Sequence, residues 1–398
     1  MHGAPKKEAW VRYLLYVLLA ALTATSVHRT AKTDLDFKVF YGAGRRLVDG
    51  DRNLYDFRRD GVFTFKYSPF FPVLMLPFSA LPEKTSRLLW GLSSALAFLL
   101  AWFAFIRYLE LGNDTRSVWA QCLTLLLVAQ PVTNNAIQGN INALLLALMA
   151  LALFLDQKAN RPICAGILLA LAISTKLTPA ALGFYWLCRK RYRALSAATL
   201  FSLVFMILVP VLLYGTAGAC YQYEQWLTVL KDTAHFPFYK YTNQSPFVVA
   251  YHFSQSTGWA RVFHSLMITL FVATLLFFCW SRLWLSVLST CFFLMLVVPP
   301  VSWIDYYLFL TFPLLWIHDA LFHGKLGTLS KVIYFVRFGA TGFLVQAFVG
   351  REWSDFFAYY GLQFWGLCAL LLILSIEAIN PSSPYSRAER EKTLNCAQ

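Results

Sequence analysis

The chain predicts an all-α polytopic membrane protein: a bundle of about 12 transmembrane helices, with amphipathic helices in the first exoplasmic loop. Three observations carry this. Of its 398 residues, 58% are hydrophobic and only 14% charged, against about 25% charged in soluble domains. Apolar runs near twenty residues recur along the chain, the length a bilayer-spanning helix needs. Lys and Arg flank those runs, as the positive-inside rule expects. The net charge of +14 therefore reads first as topology, and nucleic acid is not an expected partner.

Taken in order, the first span covers about 10–28, behind Lys6, Lys7 and Arg12. It has no clear small-residue cleavage site and reads as a retained signal anchor with a cytoplasmic N-terminus. The 29–85 loop is then exoplasmic. Spans follow at 87–107 and 117–133, and the amide-rich PVTNNAIQGNIN lies outside before a span at 141–155. Two short spans, 162–175 and 178–188, meet at Lys176 and Pro179 and end inside at RKRYR. A span at 195–214 precedes a second exoplasmic loop, 215–260, and spans at 262–280 and 283–298 precede the outer segment PPVSWIDYY. The remaining spans run to about 318, over 332–350 and over 356–379. Residues 1–379 are expected to form a single integral membrane domain. The polar tail 380–398 is expected to be cytoplasmic and disordered. The location implied is the inner (plasma) membrane.

Residues 33–76 break this pattern. Asp34 and Asp36 precede a segment in which Phe37, Phe40, Tyr41, Gly44, Leu47 and Val48 recur at helical spacing. Such a basic, aromatic-bearing helix lies at a membrane surface. Eleven Lys and Arg residues fall between 29 and 87, on the side the positive-inside rule leaves poor in them, and lipid phosphate explains a basic outer loop.

With this topology five polar segments share one side: Asp34/Asp36, QGNIN, STKLTP, TNQSP and SWIDYY. Polar groups at membrane depth are costly and usually line a cavity. Each has a structural reading beside the functional one. Asp36 heads a helix and is either an N-cap or a catalytic carboxylate; Asp34 is a cap or a partner for Arg45. Lys176 either snorkels to the interface or binds a phosphate at a broken helix. Asn134, Asn135, Gln138, Asn140 and Asn142 cap two helices or bind sugar hydroxyls. Asn243, Gln244 and Ser245 read locally as a turn before Pro246. Trp303 and Tyr306 fit an aromatic belt, while Asp305 is a carboxylate among aromatics. Eight cysteines show no metal-ligand spacing and the histidines form no HxxxH pair, so neither a metal nor a cofactor is expected.

These segments, in this order, resemble the family-87 glycosyltransferases of the GT-C superfamily, over most of residues 10–365. DFKVFYGAGRRLVDGDRNLYD is similar to the family's DF-x-x-Y…G-x-x-x-YD opening, and YSPFFPVLMLPFSALP to its Y-P-P-hydrophobic-P segment. QGNINALLLALMALAL resembles G-Q-x-N-L-L-L, AGILLALAISTKLTPAAL resembles A-x-x-K-x-x-P, TNQSP resembles N-Q-S, and PPVSWIDYY resembles S-P-x-S-W-x-H-H/Y. The resemblance implies inverting transfer of a sugar, mannose first, from a polyprenyl-phosphate donor to an envelope glycolipid or glycan on the exoplasmic face. It implies Asp36 as general base, and Lys176 matches the lysine of K-x-x-P; by charge, Lys176 and Arg45 are expected at the departing donor phosphate. Asp34, Tyr41, Tyr67, Gln138, Asn140, Asn142, Asn243, Gln244, Ser245, Trp303, Asp305 and Tyr306 are the residues expected at sugar or acceptor. Two positions depart from the pattern: Asn140 stands for the glutamine of G-Q-x-N, and Asp305 for the histidine after S-W-x.

Two other classes remain open to the sequence. A secondary transporter fits twelve spans, although no repeat relates 10–190 to 195–380, and such sites lie at the midplane. A non-catalytic subunit that binds polyprenyl lipids is the third reading.

Overall fold

The structure, a computed structural model, describes residues 4–32, 35–51, 53–56, 59, 64–235, 242–343, 346–380 and 382–395. Every regular element among them is helical, beside one isolated antiparallel bridge between Asn243 and Trp303. α1 (Ala4–Lys32) leads to α2 (Leu35–Val48), which buries Phe37, Phe40 and Gly44 of the expected apolar face together with Val39 and Ala43, while Tyr41 and Leu47 are half-buried and Val48 is exposed. α3 (Phe71–Ser79) opens with a proline in its first turn, where the missing N–H has no helical partner to lose. α4 (Glu83–Leu109) and α5 (Thr115–Gln138) follow.

The segment PVTNNAIQ, expected as an outer connection, is instead the end of α5. Side chains from elsewhere hold it: Thr30 donates to the Ala136 carbonyl (2.9 Å) and Trp90 Nε1 to that of Gly139 (2.8 Å). Gly139, at φ +65°, ends the helix, and Asn140 N–H returns to the Asn135 carbonyl at 3.0 Å. This is the left-handed glycine stop that helices favour.

α6 (Asn142–Gln157) and α7 (Pro162–Thr175) are short and apolar. α7 stops at Lys176, whose backbone is extended; one 3₁₀ turn, Thr178–Ala180, leads into α8 (Ala181–Cys188). Pro179 has no N–H to continue the ladder, so the break expected at Lys176 and Pro179 is where the chain breaks. α9 (Tyr192–Leu203) and α10 (Val209–His235) are joined by a π-helical turn over Val204–Leu208. Pro210 cannot donate to the Met206 carbonyl; Tyr223 donates to it instead. Gly215, at φ +69°, kinks α10 where the loop 215–260 was expected, and most of that loop is helical.

The rest comprises α11 (Pro246–Ser254), α12 (Thr257–Trp280), α13 (Trp284–Val297), a 3₁₀ segment Ile304–Leu310, α14 (Thr311–Phe322), α15 (Thr328–Phe343), α16 (Gln346–Tyr359), α17 (Leu362–Ile379) and α18 (Pro384–Asn395). Among the described residues, five helices are long and apolar enough to cross a membrane: Ala9–Lys32, Glu83–Leu109, Tyr192–Asp232, Thr257–Trp280 and Leu362–Ile379.

The chain divides into two compact units. The first comprises Met1–Leu18, Leu109–Pro131 and Pro237–Gln398. In it α12 packs on α13 and α15 on α17. His318 bridges two elements, with Nδ1 2.7 Å from the Thr124 hydroxyl and Nε2 2.8 Å from that of Tyr334. Composition predicts a disordered tail, yet α18 is helical with Tyr385, Ser386 and Glu389 fully buried. Glu389 accepts from the Ser286 N–H (2.8 Å) and hydroxyl (2.7 Å), capping the first turn of α13 from a hundred residues away.

The second unit comprises Leu19–Tyr108 and Val132–Phe236. α7 and α9 approach closely: a Cβ on Gly166 would lie 2.5 Å from that of Ala197. Small residues at such contacts let membrane helices meet backbone to backbone. Arg191, from the RKRYR cluster, holds the buried Asp156 carboxylate by Nε (3.0 and 3.1 Å) and Nη2 (2.8 Å).

Candidate active site

In the second unit four of the candidate residues, Asp36, Asn140, Asn142 and Lys176, come together around the start of α2. That helix is fixed along its length. Phe40 meets the rings of Tyr67, Phe71 and Trp90 at centroid distances of 4.9, 5.0 and 6.0 Å. Gly44 lies against α3 so tightly that a Cβ there would be 2.1 Å from Ser79 Oγ. The Tyr41 hydroxyl donates to the Leu81 carbonyl (2.9 Å), and Ser79 Oγ to the Tyr41 carbonyl (3.1 Å). α2 is thus a rigid shelf, and Asp36 sits in its first turn.

Asp36 Oδ2 accepts a hydrogen bond of 2.7 Å from Asn140 Nδ2. Two residues on, the fully buried Asn142 accepts from Lys176 Nζ at 3.1 Å. Desolvation by the surrounding protein raises the Asp36 carboxyl to about 6. The charges of Lys176 and Lys66 and the Asn140 hydrogen bond pull it down, without cancelling that rise. Lys66 moves the other way: burial lowers its ammonium below the usual range, and Asp36 opposes this. The site therefore holds one carboxylate of raised basicity and two cations.

The loop that carries Lys66 is held by its backbone. Trp226 Nε1 donates to the Lys66 carbonyl (2.9 Å), the Tyr55 hydroxyl to that of Tyr67 (2.8 Å), and the Tyr214 hydroxyl to that of Pro69 (3.3 Å). Ser68 Oγ donates to the Ser174 carbonyl, two residues before Lys176. Both lysines are thereby placed by one framework. Lys66 was missing from the sequence reading. Its position directly before the Y-P-P-like segment was the available signal, hidden among eleven basic residues of one loop.

Other expected site residues are placed differently. Asp34 lies outside the described residues. Arg45 is on α2 but about half a turn round and roughly 13 Å along the axis from Asp36; it pairs with Asp49 at 3.3 Å and is exposed. The structure does not bring it to the carboxylate. The Tyr41 hydroxyl is engaged with backbone, Tyr67 stacks on Phe71 at 4.7 Å, and Gln138 is the half-buried last residue of α5.

In the first unit, TNQSP and PPVSWIDYY meet each other. Asn243 Oδ1 accepts from the N–H groups of Ser302 (2.9 Å) and Ser245 (3.1 Å), and Gln244 N–H donates to the Ser302 carbonyl (2.7 Å). Gln244 Nε2 donates to the Ala358 carbonyl (2.7 Å), and its Oε1 accepts from Gln363 N–H (3.1 Å). Ser245 Oγ caps α11 through Val248 N–H (3.3 Å). These three side chains, expected at a sugar, frame the loop that carries Trp303, Asp305 and Tyr306. Asp305 is 4% exposed, in the 3₁₀ segment. Among the described residues no group of three or more His, Cys, Asp and Glu could hold a metal ion.

Comparison with known proteins gives this geometry a context. The chain is 28% identical over 200 residues to a polyprenol-phosphate-mannose-dependent alpha-(1-2)-phosphatidylinositol pentamannoside mannosyltransferase of Mycolicibacterium smegmatis, covering 48% of this chain and 47% of that protein. It is 31% identical over 212 residues to an alpha-(1->3)-arabinofuranosyltransferase of Mycobacterium tuberculosis, covering 51% of this chain and 48% of that protein. The chain thus spans about half the length of the curated relatives it matches. The family model for glycosyltransferase family 87 matches residues 63–300, a stretch that holds Lys66, Asn140, Asn142, Lys176 and the Asn243–Ser245 turn and begins after Asp36. Matched over more than half its length, the chain belongs to glycosyltransferase family 87.

Proposed function

We propose that this protein transfers a sugar, mannose as the first expectation, from a polyprenyl-phosphate donor to an envelope glycolipid or glycan, with inversion and on the exoplasmic face. Its setting is the plasma membrane, in a bundle of about twelve spans with a cytoplasmic N-terminus and one catalytic domain over 1–379. The mannosyl and arabinofuranosyl transfer named for the two relatives supports the reaction class. The observation that carries the assignment of roles is the basic carboxylate beside two cations: Asp36, held by Asn140 at 2.7 Å, in the field of Lys176 and Lys66.

A sugar hydroxyl is a poor nucleophile at neutral pH, so a positioned base must take its proton as it attacks. Asp36 Oδ1 accepts that proton. The acceptor oxygen bonds to the anomeric carbon through an oxocarbenium-like state, and the bond to the polyprenyl phosphate breaks on the opposite face. Negative charge grows on the departing phosphate. Lys176 and Lys66 stabilise it, and burial strengthens that interaction over its value in water. Trp303, Asp305 and Tyr306 are proposed as further groups that face sugar or acceptor.

The test is Asp36→Asn, assayed as transfer from polyprenyl-phosphate mannose to extracted membrane lipids. General-base help is worth about 10²–10⁴-fold, and the variant is expected to lose at least that while keeping expression and donor binding. Near-normal transfer by purified Asp36→Asn protein rejects the assignment.

A further inference from the structure

The two asparagines of the GNIN turn do not act alike. Asn140 gives an N–H to Asp36 (2.7 Å), whereas Asn142 takes one from Lys176 (3.1 Å). Asp36 and Lys176 thus each bond a neutral amide, and the two amides are two residues apart on one tight turn. That turn is rigid. Gly139 adopts φ +65°, and a Cβ on it would stand 2.8 Å from Phe37 Cβ, beside Asp36 itself. Trp90 holds the Gly139 carbonyl, and Asn140 N–H closes on Asn135. Asn140 is 4% exposed and Asn142 fully buried; the buried Asn140 Oδ1 has no hydrogen-bond partner among the described residues. Neither side chain is presented as an open sugar-binding amide.

A carboxylate and an ammonium left beside each other in a buried site form a direct ion pair. Such a pair favours the ionised carboxylate strongly and weakens it as a base. We propose that Asn140 and Asn142 are positioning residues that form an amide spacer between Asp36 and Lys176, holding the carboxylate apart from that ammonium so that it stays basic. This rests on the reading of Asp36 as general base. Asn140 orients the carboxylate by one oxygen and leaves the other for the acceptor's proton. Asn142 accepts from the ammonium through a neutral oxygen. Among the described residues, Lys176, from the end of α7, and Lys66, from the loop before α3, are the charged groups that act on Asp36. α3, packed against α2, is FPVLMLPFS and adds no titratable group.

The spacer predicts shifts of opposite sign. The Asp36 carboxyl is followed by infrared difference titration of the full-length protein in lipid nanodiscs, its band assigned by its disappearance in Asp36→Asn. Asn140→Ala removes a hydrogen bond to the ionised form, and the midpoint is expected to rise by about one unit. Asn142→Ala releases the Lys176 ammonium toward Asp36, and the midpoint is expected to fall; the fall should vanish in Asn142→Ala/Lys176→Met. Asn140→Gln, which keeps an amide donor, should restore most of the wild-type midpoint. Only monodisperse protein is titrated, so lost folding cannot imitate a shift. Unchanged midpoints in both alanine variants, or shifts of the same sign, overturn the spacer. The base reading fails separately: transfer from polyprenyl-phosphate mannose that survives Asp36→Asn removes it whatever the midpoints show.

Discussion

A carboxylic acid raised to about 6 by desolvation has a direct kinetic signature. The base works only when ionised, so kcat/KM for transfer should climb with pH through a midpoint near 6 and level off above it. A profile flat from pH 5 to 8 would contradict the role of Asp36. At this scale the sequence singled out four residues that the structure brings together. Asp36, Asn140, Asn142 and Lys176 were all legible as polar residues at membrane depth, which is rare enough to be informative. What each atom faces was not legible. Asn140 and Asn142 read as identical amides, and only the turn conformation makes one a donor to Asp36 and the other an acceptor from Lys176. Lys66 and Arg45 show the same limit: both are basic residues of one loop, and packing alone puts the first near Asp36 and the second on the far face of α2.

Among the elements, the turn after α5 places the site, and its conformation depends on glycine. Gly139→Ala adds a Cβ where φ is +65° and where Phe37 Cβ would be 2.8 Å away. The left-handed backbone alone costs about 1–2 kcal/mol for a residue with a Cβ. A lower melting temperature is expected, together with a loss of transfer larger than the loss of folded protein, because α2 must shift and carry Asp36 with it. Equal specific activity of the folded variant would show that the approach to Phe37 does not matter. The helix boundaries divide by cause. The break at Lys176 was readable because Pro179 cannot donate, whatever surrounds it. The end of α5 was misread, since Thr, Asn and Gln are weak helix formers, and bonds from Thr30 and Trp90 override that preference.

Across the whole molecule, two predictions test the chain's course and its closure. The proposed topology puts the exposed Cys220 outside and the exposed Cys164, beside Arg161, inside. A membrane-impermeant maleimide should label Cys220 in spheroplasts and Cys164 only after permeabilisation; the reverse pattern inverts the orientation. The tail gives the second. Burial raises the Glu389 carboxyl to about 7, above its usual 4.5. A group with that shift favours the folded state when protonated, and its contribution is lost as pH rises from about 4.5 through 7. Glu389→Gln mimics the protonated form and should melt at or above the wild-type temperature at pH 8. Glu389→Ala leaves the Ser286 N–H buried without its acceptor and should cost about 1–3 kcal/mol. Equal melting of the alanine variant would mean that α18 does not cap α13.

The sequence by itself determined that this is a helical membrane protein, which segments are apolar, where proline and glycine interrupt them, and that the chain resembles family 87. Those properties are local, set by hydropathy and by backbone groups that a residue has or lacks. Tertiary structure alone decided which carboxylate and which lysines share a site, that one asparagine serves each, and that a polar tail packs as a helix. These depend on partners a hundred residues away, as Asn140 is from Asp36 and Glu389 from Ser286, and no local pattern encodes contacts across that separation.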